Sequence, residues 1–171
     1  MTFGTNFKVM DQGHLHLIIT HLPIFGAILG GIVLFQGLWS KSDQVNLAGY
    51  SLLIIAAIGA IISYVTGEAA EELVESIPGI AESVVEEHEE FALFALISLI
   101  ATGVFSLLGC YLHWKNISWK RSMATITLIV CMISFALVGW TGYLGGQIRH
   151  TELGTNSIGQ EQMQSDDGDD D

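Results

Sequence analysis

Hydrophobic residues fall into four long segments of the chain, at about residues 15–39, 45–66, 91–114 and 122–148. Each segment has roughly 20 residues or more, and a helix of that length, at 1.5 Å per residue, crosses a hydrocarbon core of about 30 Å. The pattern predicts an all-α integral membrane protein with an up-down four-helix bundle. We assign residues 14–150 to this membrane domain, residues 1–13 to a polar lead and residues 151–171 to a disordered acidic tail.

The first apolar segment contains a proline near its start. If Pro23 began the helix, residues 23–39 would span only about 25 Å, which is too short for the membrane. We therefore place Pro23 inside a helix that covers the whole segment, with a kink that leaves the Ile19 carbonyl without its backbone partner. Gly26 and Gly30 lie four residues apart, so their face allows close approach of a neighbouring helix or of a flat ligand.

The connection between the second and third apolar segments is acidic. Residues 68–90 hold nine of the 18 Asp and Glu residues of the chain. We expect Gly67 to end the second helix. Pro78 and Gly79 then divide the acidic stretch into an amphipathic helical hairpin between helices 2 and 3. An apolar stripe at helical spacing leads to His88 and directs its side chain toward the core.

Charge is sparse and unevenly distributed. Only 14% of the residues are charged and the net charge is −12, with six Lys and Arg and no basic patch, which argues against a nucleic-acid partner. Four of these six basic residues lie in the loops 40–44 and 115–121. Because Lys and Arg mark cytoplasmic loops, both termini and the acidic hairpin are expected on the outer side.

The up-down arrangement collects ionisable side chains at the outer end of the bundle. Such groups are costly at a membrane boundary and therefore suggest a site. They are His14, His16, His21, Glu68, Glu71, Glu72, His88, Arg149 and His150. His113 lies at the opposite end, where its position beside Trp114 predicts an interfacial residue.

Five short motifs occur in order over about residues 12–153. They are His14-x-His16-x4-His21-x-Pro23, Thr66-Gly67-Glu68-x-Ala70-Glu71-Glu72, Pro78-Gly79, His88-Glu89 and Gly145-Gly146-x-Ile148-Arg149-His150. In this combination the chain resembles a family of small bacterial four-helix membrane proteins that is labelled only as a domain of unknown function. The resemblance implies the same fold and brings no activity with it. We expect a multi-pass protein of the bacterial inner (cytoplasmic) membrane.

The leading functional hypothesis is a metal or b-type haem centre at the outer end of the bundle, for electron transfer or metal handling. His21 is the strongest candidate ligand because it lies deepest in the membrane. In a haem version two histidines ligate axially and the glycine face of helix 1 receives the porphyrin. In a non-haem version three histidines and a carboxylate hold iron, copper or zinc. The candidate metal ligands are His21, His88, His150, Glu68 and Glu72, and the alternative or supporting residues are His14, His16, Glu71, Glu89 and Arg149.

Two other functions stay open. A structural subunit or anchor of a larger complex would bind no metal, would use the acidic hairpin to meet a membrane-complex or redox partner, and would have His21 bond the freed Ile19 carbonyl or a carboxylate. A proton or solute transporter is the other alternative. A homo-oligomer is compatible with all of these. The sequence has no P-loop, dinucleotide fingerprint or CxxC motif, so no enzyme activity is indicated.

Overall fold

The computed structural model describes residues 15–75 and 82–149, with side chains over residues 15–67 and 83–147. The chain forms four long helices here, α1 (His21–Ser40), α2 (Asp43–Glu75), α3 (Glu82–Trp114) and α4 (Lys120–Arg149). A short helical stretch over residues 15–19 leads into α1. The two described ranges contain no strand, so the predicted all-α class is confirmed for them. The predicted polar lead and acidic tail lie outside the described residues.

All four helices are long and apolar enough to cross a membrane. The apolar spans are Leu15–Ser40, Asp43–Gly67, Ser83–Trp114 and Lys120–Gln147. Large apolar side chains point outward, and Phe25 and Leu107 are each 57% exposed. Small residues such as Ala27 and Ala56 form much of the buried interior. An apolar surface of this extent matches a lipid environment, and these features indicate a multi-pass membrane protein.

The helix of the first apolar segment is interrupted at Thr20, three residues before the buried Pro23. Pro23 has no N–H to donate to the Ile19 carbonyl, which breaks the helical hydrogen-bond ladder at this point. The Thr20 hydroxyl donates to the Leu17 carbonyl at 3.0 Å, and the Thr20 N–H donates to the His16 carbonyl at 3.0 Å. Thr20 keeps right-handed helical dihedrals, with φ −59° and ψ −26°, so the apolar span Leu15–Ser40 is continuous and the kink at Pro23 stays a prediction.

α2 and α3 are longer than the apolar segments that predict them. Each has 33 residues, which corresponds to about 50 Å. α2 runs through Gly67 to Glu75, so the prediction that Gly67 ends the second helix is wrong. One glycine costs a helix interior only about 1 kcal/mol, and the Ala and Glu residues that follow are good helix formers. The connection at residues 76–81, which would complete the predicted acidic hairpin, lies outside the described residues.

Glycines of α1 allow close contact with α2. An added Cβ on Gly26 would lie 2.7 Å from the Ala56 Cβ, and one on Gly30 would lie 2.7 Å from Leu53 Cδ2. These contacts run in opposite order along the two helices. The glycine face of α1 is therefore occupied by α2, as the helix-packing interpretation predicts. This face does not receive the porphyrin of the haem version.

α1 also packs against α4. Cys131 is buried and its Sγ donates to the Ala27 carbonyl at 3.3 Å. Near the other end of the same pair of helices, Arg121 Nη2 donates to the Leu38 carbonyl at 3.1 Å. Side-chain contacts to main-chain carbonyls thus hold α4 beside α1 at two levels of the bundle.

Buried hydroxyl groups join α3 to α4. Thr102 and Ser134 are each 0% exposed, and their hydroxyl oxygens lie 2.9 Å apart. Each hydroxyl also lies 3.0 Å from a carbonyl one turn earlier on its own helix, at Ser98 and Val130. Small hydroxylated side chains let two membrane helices approach closely and satisfy each other's polar groups.

Candidate metal centre

His16 lies at the start of the first membrane span, and its ring points toward α2. His16 Nδ1 lies 2.9 Å from the Ser63 carbonyl and 3.3 Å from Thr66 Oγ1. Because a carbonyl can only accept a hydrogen bond, Nδ1 carries the proton, and the neutral ring keeps a lone pair on Nε2. Gly67 provides space for this ring, since an added Cβ would lie 3.4 Å from His16 Cε1. The glycine that the sequence suggests as a helix stop is instead a contact surface for an imidazole.

His88 occupies a similar position between α3 and α4. Its half-buried ring donates from Nδ1 to the Thr141 carbonyl at 3.0 Å, which again leaves the lone pair on Nε2. An added Cβ on Gly145 would lie 3.1 Å from His88 Cε1, so the ring rests against this glycine. The prediction that His88 points toward the core is confirmed.

His16 and His88 come from different helices and lie at the same end of the bundle, beside the end of the second span at Gly67 and near the end of the fourth at Gln147. Both use Nδ1 to bind a main-chain carbonyl, which is the arrangement that holds metal-ligating histidines in a fixed tautomer and orientation. Two imidazoles at one end of the bundle thus have the same hydrogen-bonding arrangement.

His21 has a different environment. Its ring is exposed, donates from Nδ1 to the Leu17 carbonyl at 2.9 Å, and stacks on Phe25 with the ring centroids 6.3 Å apart. His21 Nδ1 thus binds the Leu17 carbonyl and not the freed Ile19 carbonyl, so that suggestion is wrong, while a carboxylate partner stays a prediction. His21 follows His16 by five residues, and on a helix this separation turns the two side chains about 140° apart.

The remaining predicted residues fall in two groups. Glu89 is exposed on α3. The backbone of α2 includes Glu68, Glu71 and Glu72, and α4 ends at Arg149, but the side chains of these four residues lie outside the described part. His14 and His150 lie outside it entirely. Over residues 15–67 and 83–147, no group of three or more His, Cys, Asp and Glu side chains is placed to hold a metal ion. The predicted ligands Glu68, Glu72 and His150 therefore stay predictions.

His113, at the other end of the bundle, is buried inside it and only 9% exposed. Its ring packs edge-on against Tyr50, with the centroids 5.6 Å apart, and its Nδ1 donates to the Gly109 carbonyl at 2.8 Å. Its Nε2 lies 3.6 Å from Asp43 Oδ1. The apolar ring of Tyr50 and a carbonyl of its own helix together hold the imidazole inside the bundle. Proximity in sequence to Trp114 gives no signal of either contact.

No protein-family model, no curated protein and no solved structure matches this chain. The function is therefore interpreted from the geometry of the two histidine-containing ends of the bundle.

Proposed function

We propose that this protein is an integral membrane protein that holds a metal centre between His16 and His88, for electron transfer or metal handling. The observation that carries the proposal is the matched geometry of two imidazoles from different helices. Each ring donates from Nδ1 to a main-chain carbonyl, at 2.9 Å for His16 and 3.0 Å for His88. Each ring therefore presents the Nε2 lone pair, and the imidazole nitrogen of a neutral histidine is the commonest metal ligand in proteins.

In the haem form, His16 and His88 would hold the iron of a b-type haem without a third protein ligand, and the haem would supply one-electron chemistry. Because α2 fills the glycine face of α1, the porphyrin would not lie on that face. A non-haem iron, copper or zinc site normally needs three or more protein ligands. Glu68, Glu72 or His150 would have to supply the additional ligands in that form.

We propose an up-down bundle in a bacterial inner membrane as the setting of this centre. The opposite order of contacts along α1 and α2 supports the up-down topology. The basic loops 40–44 and 115–121 support a cytoplasmic location for the end that contains His113. The termini and the His16–His88 pair are then on the outer side. Membership of the family of small bacterial four-helix membrane proteins is part of this proposal and rests on the shared motifs.

The acidic continuation of α2 gives a redox partner a place to dock. α2 continues from the end of its apolar span at Gly67 to Glu75, and this extension contains Glu68, Glu71 and Glu72. A partner with a basic surface would be attracted to these charges, and electrostatic attraction of this kind mainly accelerates association. The docked partner would lie next to the proposed centre.

An optical spectrum combined with metal analysis of the full-length protein tests the proposal. The protein is expressed with a haem precursor and with iron, copper and zinc in the medium, and it is purified in a mild detergent without chelators. A Soret band that shifts on reduction identifies a haem. Stoichiometric metal without this band identifies a non-haem site. Protein that carries neither haem nor metal would overturn the proposal and favour the structural-subunit alternative.

A further inference from the structure

A second polar site lies at the end of the bundle opposite the His16–His88 pair. A cavity of about 300 Å³ opens between the ends of α1 and α3 and the starts of α2 and α4. This volume is at the lower end of the range for ligand pockets and would hold a small polar group. The polar side chains in its lining are Lys41, Asp43, Asn46, His113, Lys120 and Arg121.

The charge of the cavity is positive in a chain that is strongly acidic. Three of the six Lys and Arg residues in the sequence line it, although the net charge of the chain is −12. Lys120 Nζ lies 2.6 Å from Asp43 Oδ2, which neutralises the one carboxylate in the lining. Lys41 and Arg121 therefore add a net positive charge. Arg121 uses Nη2 to bind the Leu38 carbonyl, and its other guanidinium donors can reach a ligand.

Helix ends strengthen this positive potential. α2 begins at Asp43 and α4 begins at Lys120, so two helix N-termini are present beside the cavity. Carbonyls near the ends of α1 and α3 are occupied by hydrogen bonds, for example from the Ser42 N–H to the Gly37 carbonyl at 3.0 Å and from the Ile117 N–H to the Leu112 carbonyl at 2.9 Å. An anion is therefore favoured at this position.

Two side chains in the lining have buried polar atoms that lack a hydrogen-bond partner among the described residues. They are His113 Nε2 and Asn46 Oδ1, and these residues are 9% and 4% exposed. His113 donates from Nδ1 to the Gly109 carbonyl, so Nε2 of the neutral ring is an acceptor, as is Asn46 Oδ1. Asp43 Oδ1, which lies 3.6 Å from Nε2, is also an acceptor and gives it no hydrogen bond. Leaving such atoms unpartnered is costly, so ordered water or a ligand with hydrogen-bond donors is needed to complete the site.

Tryptophans around this end place the cavity at the level of lipid headgroups. Trp39, Trp114 and Trp119 are 80%, 77% and 73% exposed. Exposed Trp side chains at the ends of membrane helices mark the boundary between hydrocarbon and water. The anion most abundant at this depth is the phosphate of a phospholipid.

We propose that the cavity binds the headgroup of an anionic phospholipid that carries both a phosphate and hydroxyl groups, such as phosphatidylglycerol. Lys41 and Arg121 contact the phosphate, and the acceptors His113 Nε2 and Asn46 Oδ1 take hydrogen bonds from the headgroup hydroxyls. Basic pockets between membrane helices on the cytoplasmic side bind anionic headgroups in this way. The site is separate from the proposed metal centre and does not depend on it.

Native mass spectrometry of the full-length protein in detergent tests the proposal. The protein is offered equal amounts of phosphatidylglycerol, phosphatidylethanolamine and phosphatidylcholine, and the retained lipid is counted. We expect preferential retention of phosphatidylglycerol. Lys41→Gln and Arg121→Gln should each weaken it about fivefold. Lys115→Gln is the matched control, because Lys115 lies in the same basic loop as Arg121 but does not line the cavity and sits over the Trp114 ring, 4.4 Å from its centroid.

Three outcomes would overturn the proposal. Equal retention of the three lipids would show that the cavity does not select an anionic headgroup. Equal losses in the Lys41→Gln, Arg121→Gln and Lys115→Gln variants would indicate general attraction to negative lipid. If inorganic phosphate stabilises the protein and the three lipids are retained equally, the cavity binds a soluble anion and not a lipid headgroup. Arg121→Gln could fail to fold because its contact with Leu38 is lost. In that case a larger loss of phosphatidylglycerol in Lys41→Gln than in Lys115→Gln supports the proposal, and equal losses overturn it.

Discussion

The His88 ring rests directly against Gly145, where an added Cβ would lie 3.1 Å from His88 Cε1. Gly145→Ala should therefore displace the ring from the Thr141 carbonyl and weaken binding of haem or metal about tenfold, as changes to the support of a ligating histidine do. Gly146→Ala is the control, since nothing lies within 4 Å of a Cβ added there. The measurement is a haem or metal titration of both variants. Equal affinities would show that the position of the His88 ring does not matter for binding.

His16→Ala should abolish most of the haem or metal content, whereas His21→Ala should leave it close to that of the wild type. The physical reason is orientation, because His16 binds the Ser63 carbonyl between the helices while His21 is exposed and bonds within its own helix. Content is measured by absorbance or metal analysis on protein that is monodisperse by size exclusion. The reverse result, in which only His21→Ala loses haem or metal, would identify His21 as the ligand instead of His16.

His88→Ala should lower occupancy more than His113→Ala does. The two residues lie on the same helix at opposite ends of the bundle, so the pair separates loss of a ligand from general damage to α3. His113→Ala removes a buried ring packed on Tyr50 and should reduce thermal stability with little effect on bound haem or metal. Equal losses of occupancy in the two variants would mean that the centre is misplaced.

Gly49→Ala should destabilise the protein by about 1–3 kcal/mol, because the packing between α1 and α2 has no space for a methyl group. The added Cβ would lie 2.8 Å from the Leu34 backbone nitrogen and 2.9 Å from the Leu34 Cα, which cannot move as a side chain can. Gly139→Ala is the contrasting change. Nothing lies within 4 Å of its Cβ, so it should be neutral or stabilise the helix by up to about 1 kcal/mol. Unfolding in mixed micelles measures both, and a neutral Gly49→Ala would contradict the packing.

The hydrogen bond between Thr102 and Ser134 can be measured with a double-mutant cycle. Thr102→Val, Ser134→Ala and the double variant should give a coupling of about 0.6 kcal/mol, which is typical of hydrogen bonds between membrane helices. The expected value is small because each hydroxyl also has a carbonyl of its own helix within reach, at 3.0 Å. A coupling of zero would show that the two hydroxyls do not interact in the folded protein.

The four helices and the inward direction of His88 were predictable because they depend on local pattern. Uninterrupted apolar runs require helices in lipid, and an apolar stripe at helical spacing determines which side of α3 faces the core. Pro23 likewise predicts an interruption of the hydrogen-bond ladder from its missing N–H, and the regular helical pattern is interrupted at Thr20. Each of these inferences needs only residues that are neighbours on the same helix.

The different environments of His16 and His21 could not be predicted in this way. Depth in the membrane favours His21 as a ligand, but which ring packs between the helices depends on its direction around the helix axis and on the residue of α2 that stands opposite. That second factor is the register between two helices, which brings Ser63 and Gly67 beside His16. A glycine near the end of an apolar run, such as Gly67, is equally typical of a helix stop and of a close contact between a helix and a side chain. The burial of His113 could not be predicted for the same reason, because Tyr50 comes from another helix.

α2 contacts both polar ends of the bundle as one continuous helix. Asp43 lies near His113 at one end and the Ser63 carbonyl binds His16 at the other. The 20 residue steps between Asp43 and Ser63 correspond to about 30 Å, the thickness of the hydrocarbon core. α2 thus fixes both the distance and the relative rotation between the two polar ends of the bundle. Insertion of a single residue near its middle would turn one end by about 100° against the other, so one of the two contacts would be lost.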